Sequence, residues 1–119
     1  MPRKADIGDY KKISHADFEK IQFRVGTIVD IKVHTKSKND YILLLDCAAA
    51  DEDVQVVASL RDSYNIADLL GKQVIVICNI QPEMVGREES QGMLLAASDA
   101  EVISIVSPER MMVLGTIVK

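Results

Sequence analysis

The sequence contains few aromatic residues and no tryptophan. Phenylalanine and tyrosine together make up 4% of its 119 residues. That leaves little aromatic surface on which successive bases of a single-stranded nucleic acid would stack. Any contact with a nucleic acid is therefore expected to depend on shape and on the phosphate backbone.

Cysteine is scarce, and long apolar runs are lacking. Cys47 and Cys78 lie within apolar stretches, without a C-x-x-C pair or nearby histidines, so we predict two buried thiols in a reducing compartment, a disulfide between them being the less favoured alternative. No stretch is long and apolar enough to span a bilayer, and the first six residues lack the apolar core of a signal peptide. We expect a cytoplasmic protein with no membrane contact.

The chain also lacks an excess of positive charge. Fourteen lysines and arginines stand against 18 aspartates and glutamates, for a net charge of −4. Proteins that bind nucleic acid over their whole surface are usually basic, so this mode of binding is not expected, and a local basic patch remains open.

Catalytic and ligand-binding motifs are lacking as well. Neither of the two histidines, His15 and His34, lies in a motif with a serine or cysteine nucleophile. The glycine-rich loops that bind nucleotides and the paired ligands that bind zinc are absent from the sequence. We predict no catalysis, no cofactor and no metal.

The chain is long enough for a single domain, with a hydrophobic fraction of 48%. Residues 1–13 form a polar N-terminal head, and residues 14–119 form the domain. Ser14 and Asp17 outline a capping box, which predicts a short helix over residues 15–20. A second helix is predicted over residues 65–71, with Asn65 as its N-cap and Gly71 as its stop.

Alternating and continuous apolar segments predict five short strands, over residues 24–33, 41–47, 54–60, 73–80 and 92–97. Five strands with one helix between the third and fourth favour a small all-β barrel over a sandwich. Two further apolar segments, residues 102–106 and 111–118, exceed what five strands require. They are expected to pack on the barrel or on a second copy of the chain.

The first strand alternates, which predicts that one face carries Val25, Thr27, Val29, Ile31 and Val33. Gly26, in the interior of this strand, predicts a bulge or a sharp bend. The connection between the fourth and fifth strands is expected to be long and irregular. It ends in Ser90, Gln91 and Gly92, which either bind a polar ligand or only shape a turn, with Gly92 supplying a positive φ.

Three segments resemble the tRNA-binding domain family. They are Asn79-Ile-Gln-Pro82 with Gly86 and Ser90-Gln-Gly-Met93, then Asp17-Phe-Glu-Lys20 with Phe23-Arg-Val-Gly-Thr-Ile28, and Gly115-Thr-Ile117. The family has an oligonucleotide/oligosaccharide-binding (OB) barrel, and occurs free-standing, in subunits and tails of methionyl-tRNA synthetases, and as the secretion chaperone CsaA. The resemblance implies a five-stranded OB-fold barrel whose N-terminal helix and C-terminal β extension form a two-fold homodimer.

The same resemblance implies a function. It is that of a non-catalytic tRNA-binding protein acting in trans, as a beta subunit or accessory module of methionyl-tRNA synthetase, with tRNA and the synthetase as partners. The alternative that it implies is a CsaA-like secretion chaperone that binds unfolded peptides as a homodimer.

The candidate RNA-binding residues form two groups. Cations that would neutralise phosphates are Lys36, Lys38, Arg61 and Arg87; on loops, such lysines are equally consistent with ordinary solvated charges. The other residues that would contact RNA, on the strength of the resemblance, are Ser59, Asn79, Ser90, Gln91, Gly92 and Met93.

Two departures from the family pattern concern this site. The loop of residues 34–40 shares only its leading His34 with the usual His-Pro-Asn-Ala-Asp-Lys-Leu. Glu83-Met-Val85 stands where family members that bind tRNA well tend to have lysine or arginine. The second departure predicts weaker binding and a flatter salt dependence.

Overall fold

The structure of the protein is a computed structural model, and it describes residues 8–48 and 52–119. Residues 8–13 of the predicted head are exposed and form neither helix nor strand, and residues 1–7 lie outside the described residues. The elements of the described ranges are α1 (His15–Glu19), β1 (Phe23–Val33), β2 (Tyr41–Asp46), β3 (Val54–Ala58), α2 (Ile66–Leu69), β4 (Gln73–Ile77), β5 (Glu83–Val85), β6 (Glu88–Ser90), β7 (Met93–Leu94), β8 (Ala96–Ser98), β9 (Ile103–Ile105) and β10 (Ile117–Val118).

One antiparallel sheet, in the order β3-β2-β1-β4-β7, curls into a nearly closed barrel. The long strand β1 makes this possible, because it pairs with β4 through Phe23–Thr27 and with β2 through Thr27–Val33. The predicted all-β OB-like barrel, with a helix between the third and fourth strands, is confirmed. Its core contains Ile28, Leu43, Leu45, Val56, Leu69, Val74 and Val76, all almost fully buried.

A β-bulge in β1 overturns the predicted alternation. Ile28 pairs with Leu45, but the next pair along the strand is Asp30 with Leu44, so Val29 has no partner. An extra residue reverses which face the neighbouring side chains occupy. Ile28 is consequently fully buried and Val29 is 42% exposed, the reverse of the prediction.

Gly26 lies three residues before Val29, the unpaired residue of the bulge, and has a different role from the one predicted. A Cβ atom at this position would lie 2.9 Å from the Cys47 sulfur. The glycine therefore allows the Cys47 sulfur to lie close to the backbone of β1.

Both helices begin as predicted. The Ser14 hydroxyl accepts a hydrogen bond from the Asp17 N–H at 3.0 Å at the start of α1. The Asp68 carboxylate accepts one from the Asn65 N–H at 3.3 Å at the start of α2. Gly71, just after α2, has the positive φ of 85° that ends many helices.

The connection after β4 is a hairpin, so the prediction of an irregular segment was wrong. Strands β5 and β6 pair around Gly86 and Arg87, and Gly86 has a φ of 65°. A positive φ is what tight hairpin turns require. The two strands are short and largely exposed, so they lack the apolar alternation that reveals a strand in sequence.

The last predicted strands are shorter than expected. The segment 92–97 divides into β7, which pairs with β4, and β8, which leaves the barrel to pair with β9. Of the segment 111–118, only β10 is a strand, paired with the beginning of β1. The C-terminal segment therefore packs on the barrel, as predicted, yet Met111 and Val113 each remain 80% exposed.

Candidate nucleic-acid interface

Four residues join β3 to the segment before β7, where the strands at the two ends of the sheet do not pair. The Ser90 hydroxyl accepts a hydrogen bond from the Val57 N–H at 3.1 Å and donates one to the Gly92 carbonyl at 3.2 Å. The Gln91 N–H donates to the Gln55 carbonyl at 2.7 Å, and the Gln91 side-chain oxygen accepts from the Gln55 N–H at 3.0 Å. We call Gln55, Val57, Ser90 and Gln91 the barrel seam.

The seam changes the interpretation of the Ser-Gln-Gly motif. The Ser90 side chain is buried and both functions of its hydroxyl are used within the chain. Gln91 is exposed, but its side-chain amide also donates to Glu89 at 3.2 Å. These polar groups hold β3 against the segment before β7.

Gly92 is buried, and its φ is not positive. A Cβ atom here would lie 2.9 Å from the Ile77 carbonyl oxygen. The lack of a side chain thus lets the start of β7 approach β4 closely. The predicted positive φ in this region belongs to Gly86.

Asn79 fastens the N-terminal helix to the end of β4. Its side-chain oxygen accepts from the Gln22 N–H at 2.7 Å, and its amide donates to the Lys20 carbonyl at 2.6 Å. The residue that opens the family motif is thus engaged with the segment that follows α1.

The four candidate cations lie on three segments that contact one another. Lys36 and Lys38 are exposed on the loop between β1 and β2, Arg87 is exposed at the β5–β6 turn, and Arg61 follows β3. Arg61 joins the first loop directly, because its N–H donates to the Asn39 carbonyl at 3.2 Å and its guanidinium donates to the Ser37 carbonyl at 3.4 Å. We call Lys36, Lys38, Arg61 and Arg87 the cationic rim.

Buried Asp40 organises the same loop. Its carboxylate accepts hydrogen bonds from the Ser37 hydroxyl at 2.5 Å and the Ser59 hydroxyl at 2.7 Å. Burial raises the pKa of the Asp40 carboxyl, but the hydrogen bonds from the two hydroxyls oppose that effect, and the pKa is lowered overall. The Ser59 hydroxyl donates a hydrogen bond to Asp40. Ser59 therefore holds the loop in place.

His34 links the loop to the hairpin and is the residue that motif reasoning missed. Its ring is only 3% exposed. Nδ1 is the acceptor for the N–H groups of Lys36 and Ser37, at 3.0 and 3.1 Å, and Nε2 lies 2.8 Å from the Val85 carbonyl oxygen. The available signal was that His34 is the one loop residue shared with the family pattern.

Acidic residues are interleaved with the cations of the rim. Glu83, Glu88 and Glu89 share the β5–β6 hairpin with Arg87. Their charges reduce the positive potential that a polyanion would meet. The hairpin is thus the weaker part of the cationic rim, and the loop with Lys36 and Lys38 the stronger.

A cleft of about 290 Å³ lies between β3, the β5–β6 hairpin and the β8–β9 hairpin. Most of its lining is apolar, and its polar side chains include Glu83 and Ser59. Met93, which is 46% exposed, contributes to one wall. The cleft can accept an apolar group or the flat face of a base next to the cationic rim.

Both cysteines are free. Burial, followed by the neighbouring Cys78 thiol, raises the pKa of Cys47 to about 12.

Among residues 8–48 and 52–119, no group of three histidine, cysteine or acidic side chains is arranged to hold a metal ion. In the same ranges, no helix has the length and hydropathy needed to cross a membrane.

A known protein family matches most of the chain. The sequence pattern of the family described as "Putative tRNA binding domain" matches residues 23–117. The match begins at the first residue of β1 and ends within β10, so it includes the whole barrel, the cationic rim and the seam.

Similar curated proteins are methionine–tRNA ligases. The protein of Thermococcus onnurineus is 36% identical over 113 residues, which is 95% of this chain and 15% of that protein. The protein of Methanococcus maripaludis is 36% identical over 115 residues, or 96% of this chain and 17% of that protein. The chain therefore spans only about a sixth of the length of these relatives.

Solved structures with the same fold include three of different origin. The C-terminal domain of Plasmodium vivax p43 has a TM-score of 0.76 and 25% identity, over 82% of this chain and 58% of that one. A MetRS related protein from Pyrococcus horikoshii has a TM-score of 0.83 and 23% identity, and the chaperone CsaA from Bacillus anthracis has 0.81 and 22%. Each of these two alignments covers 92% of this chain and 100% of the other.

Proposed function

Since the chain belongs to the tRNA-binding domain family, we propose that it is a non-catalytic tRNA-binding protein that acts in trans, in the cytoplasm, as a beta subunit or accessory module of methionyl-tRNA synthetase. The observation that carries the proposal is the cationic rim, whose four members lie on segments joined by hydrogen bonds. The similarity to methionine–tRNA ligases supports the choice of synthetase.

The rim binds RNA through its phosphates. Lys36, Lys38 and Arg87 are exposed and each supplies one positive charge, and Arg61 has guanidinium donors beyond the one used on Ser37. Such contacts orient a folded RNA without reading its bases. The adjacent cleft, with Met93 in its wall, receives an unstacked base or a ribose.

Ser90, Gly92 and Asn79 contribute indirectly. They fix the barrel seam, the approach of β7 to β4 and the position of α1, and so hold the strands that bear the rim and the cleft. Gln91 remains a candidate for direct contact, because its side chain is exposed next to the seam.

A salt titration tests this function. Four phosphate contacts give a slope of about −3 in a plot of log affinity against log salt. We expect Lys36→Glu with Lys38→Glu to weaken tRNA binding by about tenfold or more and to flatten the slope by about 1.5. Binding is measured by fluorescence anisotropy with the full chain.

The control for this experiment is Lys11→Glu with Lys12→Glu. Both lysines are exposed in the head, outside the barrel, and the double change alters net charge by the same amount. Equal losses in the two double variants would show that total charge alone decides the affinity. A wild-type chain that fails to bind tRNA at about 50 mM salt would overturn the proposed function.

We also propose that the chain forms a homodimer through its two ends. Supporting this, Met111 and Val113 are each 80% exposed, and Ile13 near α1 is 65% exposed. Exposed apolar side chains of this size favour burial against another surface. Light scattering after gel filtration should give the mass of two chains, and Met111→Glu with Val113→Glu should give that of one. A monomeric wild type would contradict the dimer.

The synthetase partnership has its own test. The full chain, carrying an affinity tag, is expected to retain methionyl-tRNA synthetase from the same organism at low salt, with or without tRNA. Retention that disappears after nuclease treatment would show that RNA bridges the two proteins. No retention under either condition would remove the synthetase from the proposal.

The cleft favours a second candidate, a CsaA-like chaperone for unfolded peptides. Its apolar lining, with Glu83 at one side, suits an extended peptide that carries apolar and basic side chains. This function predicts that a permanently unfolded peptide is captured and tRNA is not. Capture that persists in Met93→Glu would exclude the cleft as the peptide site.

A further inference from the structure

The hydrogen bonds of His34 determine which of its ring nitrogens carries the hydrogen. Its Nδ1 accepts from two backbone N–H groups, those of Lys36 at 3.0 Å and Ser37 at 3.1 Å. A nitrogen that accepts hydrogen bonds carries no hydrogen, so the geometry assigns the ring hydrogen to Nε2. That hydrogen is donated to the Val85 carbonyl at 2.8 Å.

The imidazole therefore bridges two segments that are distant in sequence. Every polar atom of the ring is used, and the ring is only 3% exposed. On the hairpin side, a Cβ atom at Gly86 would lie 3.0 Å from the ring Cε1 and 3.2 Å from Nε2. The bare backbone of Gly86 thus allows the β5–β6 turn to rest on the ring.

This bridge determines where the cations lie. The N–H of Lys36 itself binds the ring, and Arg87 directly follows the glycine that packs on it. Without the imidazole, the loop of residues 34–40 would lose two internal hydrogen bonds and the one that connects it with Val85 of the β5–β6 hairpin. Cations on segments that move independently must be ordered when the ligand binds, and this ordering reduces affinity.

We propose that His34 is the positioning residue that holds Lys36, Lys38 and Arg87 in one arrangement for a phosphate backbone. The proposal rests on the proposed tRNA binding. His34 itself is buried and touches no RNA. It acts through the two backbone segments that it joins.

Two variants break the bridge from opposite sides. His34→Ala removes the ring, and Gly86→Ala places a methyl group against it, at a φ of 65° that disfavours alanine. We expect each to weaken tRNA binding about fivefold to tenfold and to flatten the salt slope. His15→Ala, which removes the other histidine from an exposed site on α1, should leave both quantities unchanged.

A double-mutant cycle separates positioning from general stability. If His34 acts by placing the lysines, Lys36→Gln with Lys38→Gln should cost less affinity in the His34→Ala background than in the wild type. A role limited to stability would leave the two effects multiplicative. Thermal unfolding of each variant confirms that binding is compared between folded proteins.

The outcomes are distinct. A wild type that does not bind tRNA overturns the proposed function, and the positioning role with it. A wild type that binds, together with folded His34→Ala and Gly86→Ala variants of unchanged affinity and slope, overturns only the positioning role. Nitrogen NMR of the imidazole provides a readout without RNA: a proton on Nδ1 in the wild type would contradict the bridge.

Discussion

The Val57 N–H donates a hydrogen bond to the hydroxyl of Ser90 at 3.1 Å. In a fully paired barrel, the carbonyl of a neighbouring strand would accept this bond. Here a side chain replaces it, because the sheet order ends at β3 on one side and β7 on the other. The serine of the family motif is in this way a component of the barrel wall.

Ser90→Ala should therefore destabilise the protein. The substitution leaves the Val57 N–H without its acceptor in a partly buried position, which costs about 1–3 kcal/mol. Urea unfolding followed by circular dichroism measures this loss. Ser98→Ala, at an exposed serine that also lines the cleft, should change the free energy of unfolding by about 0.5 kcal/mol or less. Equal effects at both serines would contradict the role of the seam.

A second prediction concerns Gly26 and Cys47. Gly26→Ala places a methyl group 2.9 Å from the Cys47 sulfur, which should cost about 1–3 kcal/mol of stability through overpacking. Adding Cys47→Ala removes the sulfur, so the double variant should recover part of this loss. Gly92→Ala serves as the comparison, since its obstacle is the Ile77 carbonyl oxygen and Cys47→Ala should give no recovery. Strict additivity for Gly26 and Cys47 would count against the packing described.

Thiol reactivity provides a third prediction. With a pKa of about 12, Cys47 is a thiolate in only about one molecule in ten thousand at pH 8. Iodoacetamide should label Cys47 far more slowly in the folded protein than in urea, as measured by mass spectrometry of peptides. Burial also raises the pKa of Cys78, so its labelling should be slowed too. Rapid labelling of Cys47 in the folded chain would contradict its burial.

The lowered pKa of Asp40 leads to a fourth prediction. The carboxyl is more acidic in the folded than in the unfolded chain, so it adds stability above its ordinary pKa of 3.8, and this stability is lost as the pH falls through the folded pKa. Ser59→Ala removes one donor and should move the Asp40 pKa upward. Carboxyl-carbon NMR during an acid titration detects the change, and Ser63→Ala, at an exposed serine, is the control.

The barrel follows from sequence pattern more readily than the site does. Alternation and apolar runs located β1 to β4, because buried strands leave a strong periodic signal. Capping residues located both helices. A bulge or bend in β1 was predicted at Gly26, and its actual position at Val29 was missed, since an extra residue leaves no mark of its own in a run of valines and isoleucines. The β5–β6 hairpin was missed for a similar reason, as its strands are short and charged.

The candidate site shows a different limit. Motif resemblance identified Ser90, Gln91 and Gly92. It did not distinguish a residue that binds a ligand from one that closes a barrel, because the same residue types can do either. His34 and Asp40 were overlooked, although they order the loop that carries Lys36 and Lys38. Their importance arises from contacts with Val85 and Ser59, which only the folded chain brings near.

The hydrogen bonds of Gln73 bear on the motion of the C-terminal segment. The Gln73 side-chain amide donates to the Met112 carbonyl at 2.7 Å, and its oxygen accepts from the Met112 N–H at 2.9 Å. One side chain thus makes the two hydrogen bonds that a neighbouring strand would make. Besides these two bonds, the C-terminal segment is held by a short pairing of residues 115–118 with the beginning of β1. Such a short pairing can open and re-form while the barrel stays intact. Deuterium should therefore replace the amide hydrogens of the C-terminal residues long before those of β2 and β4.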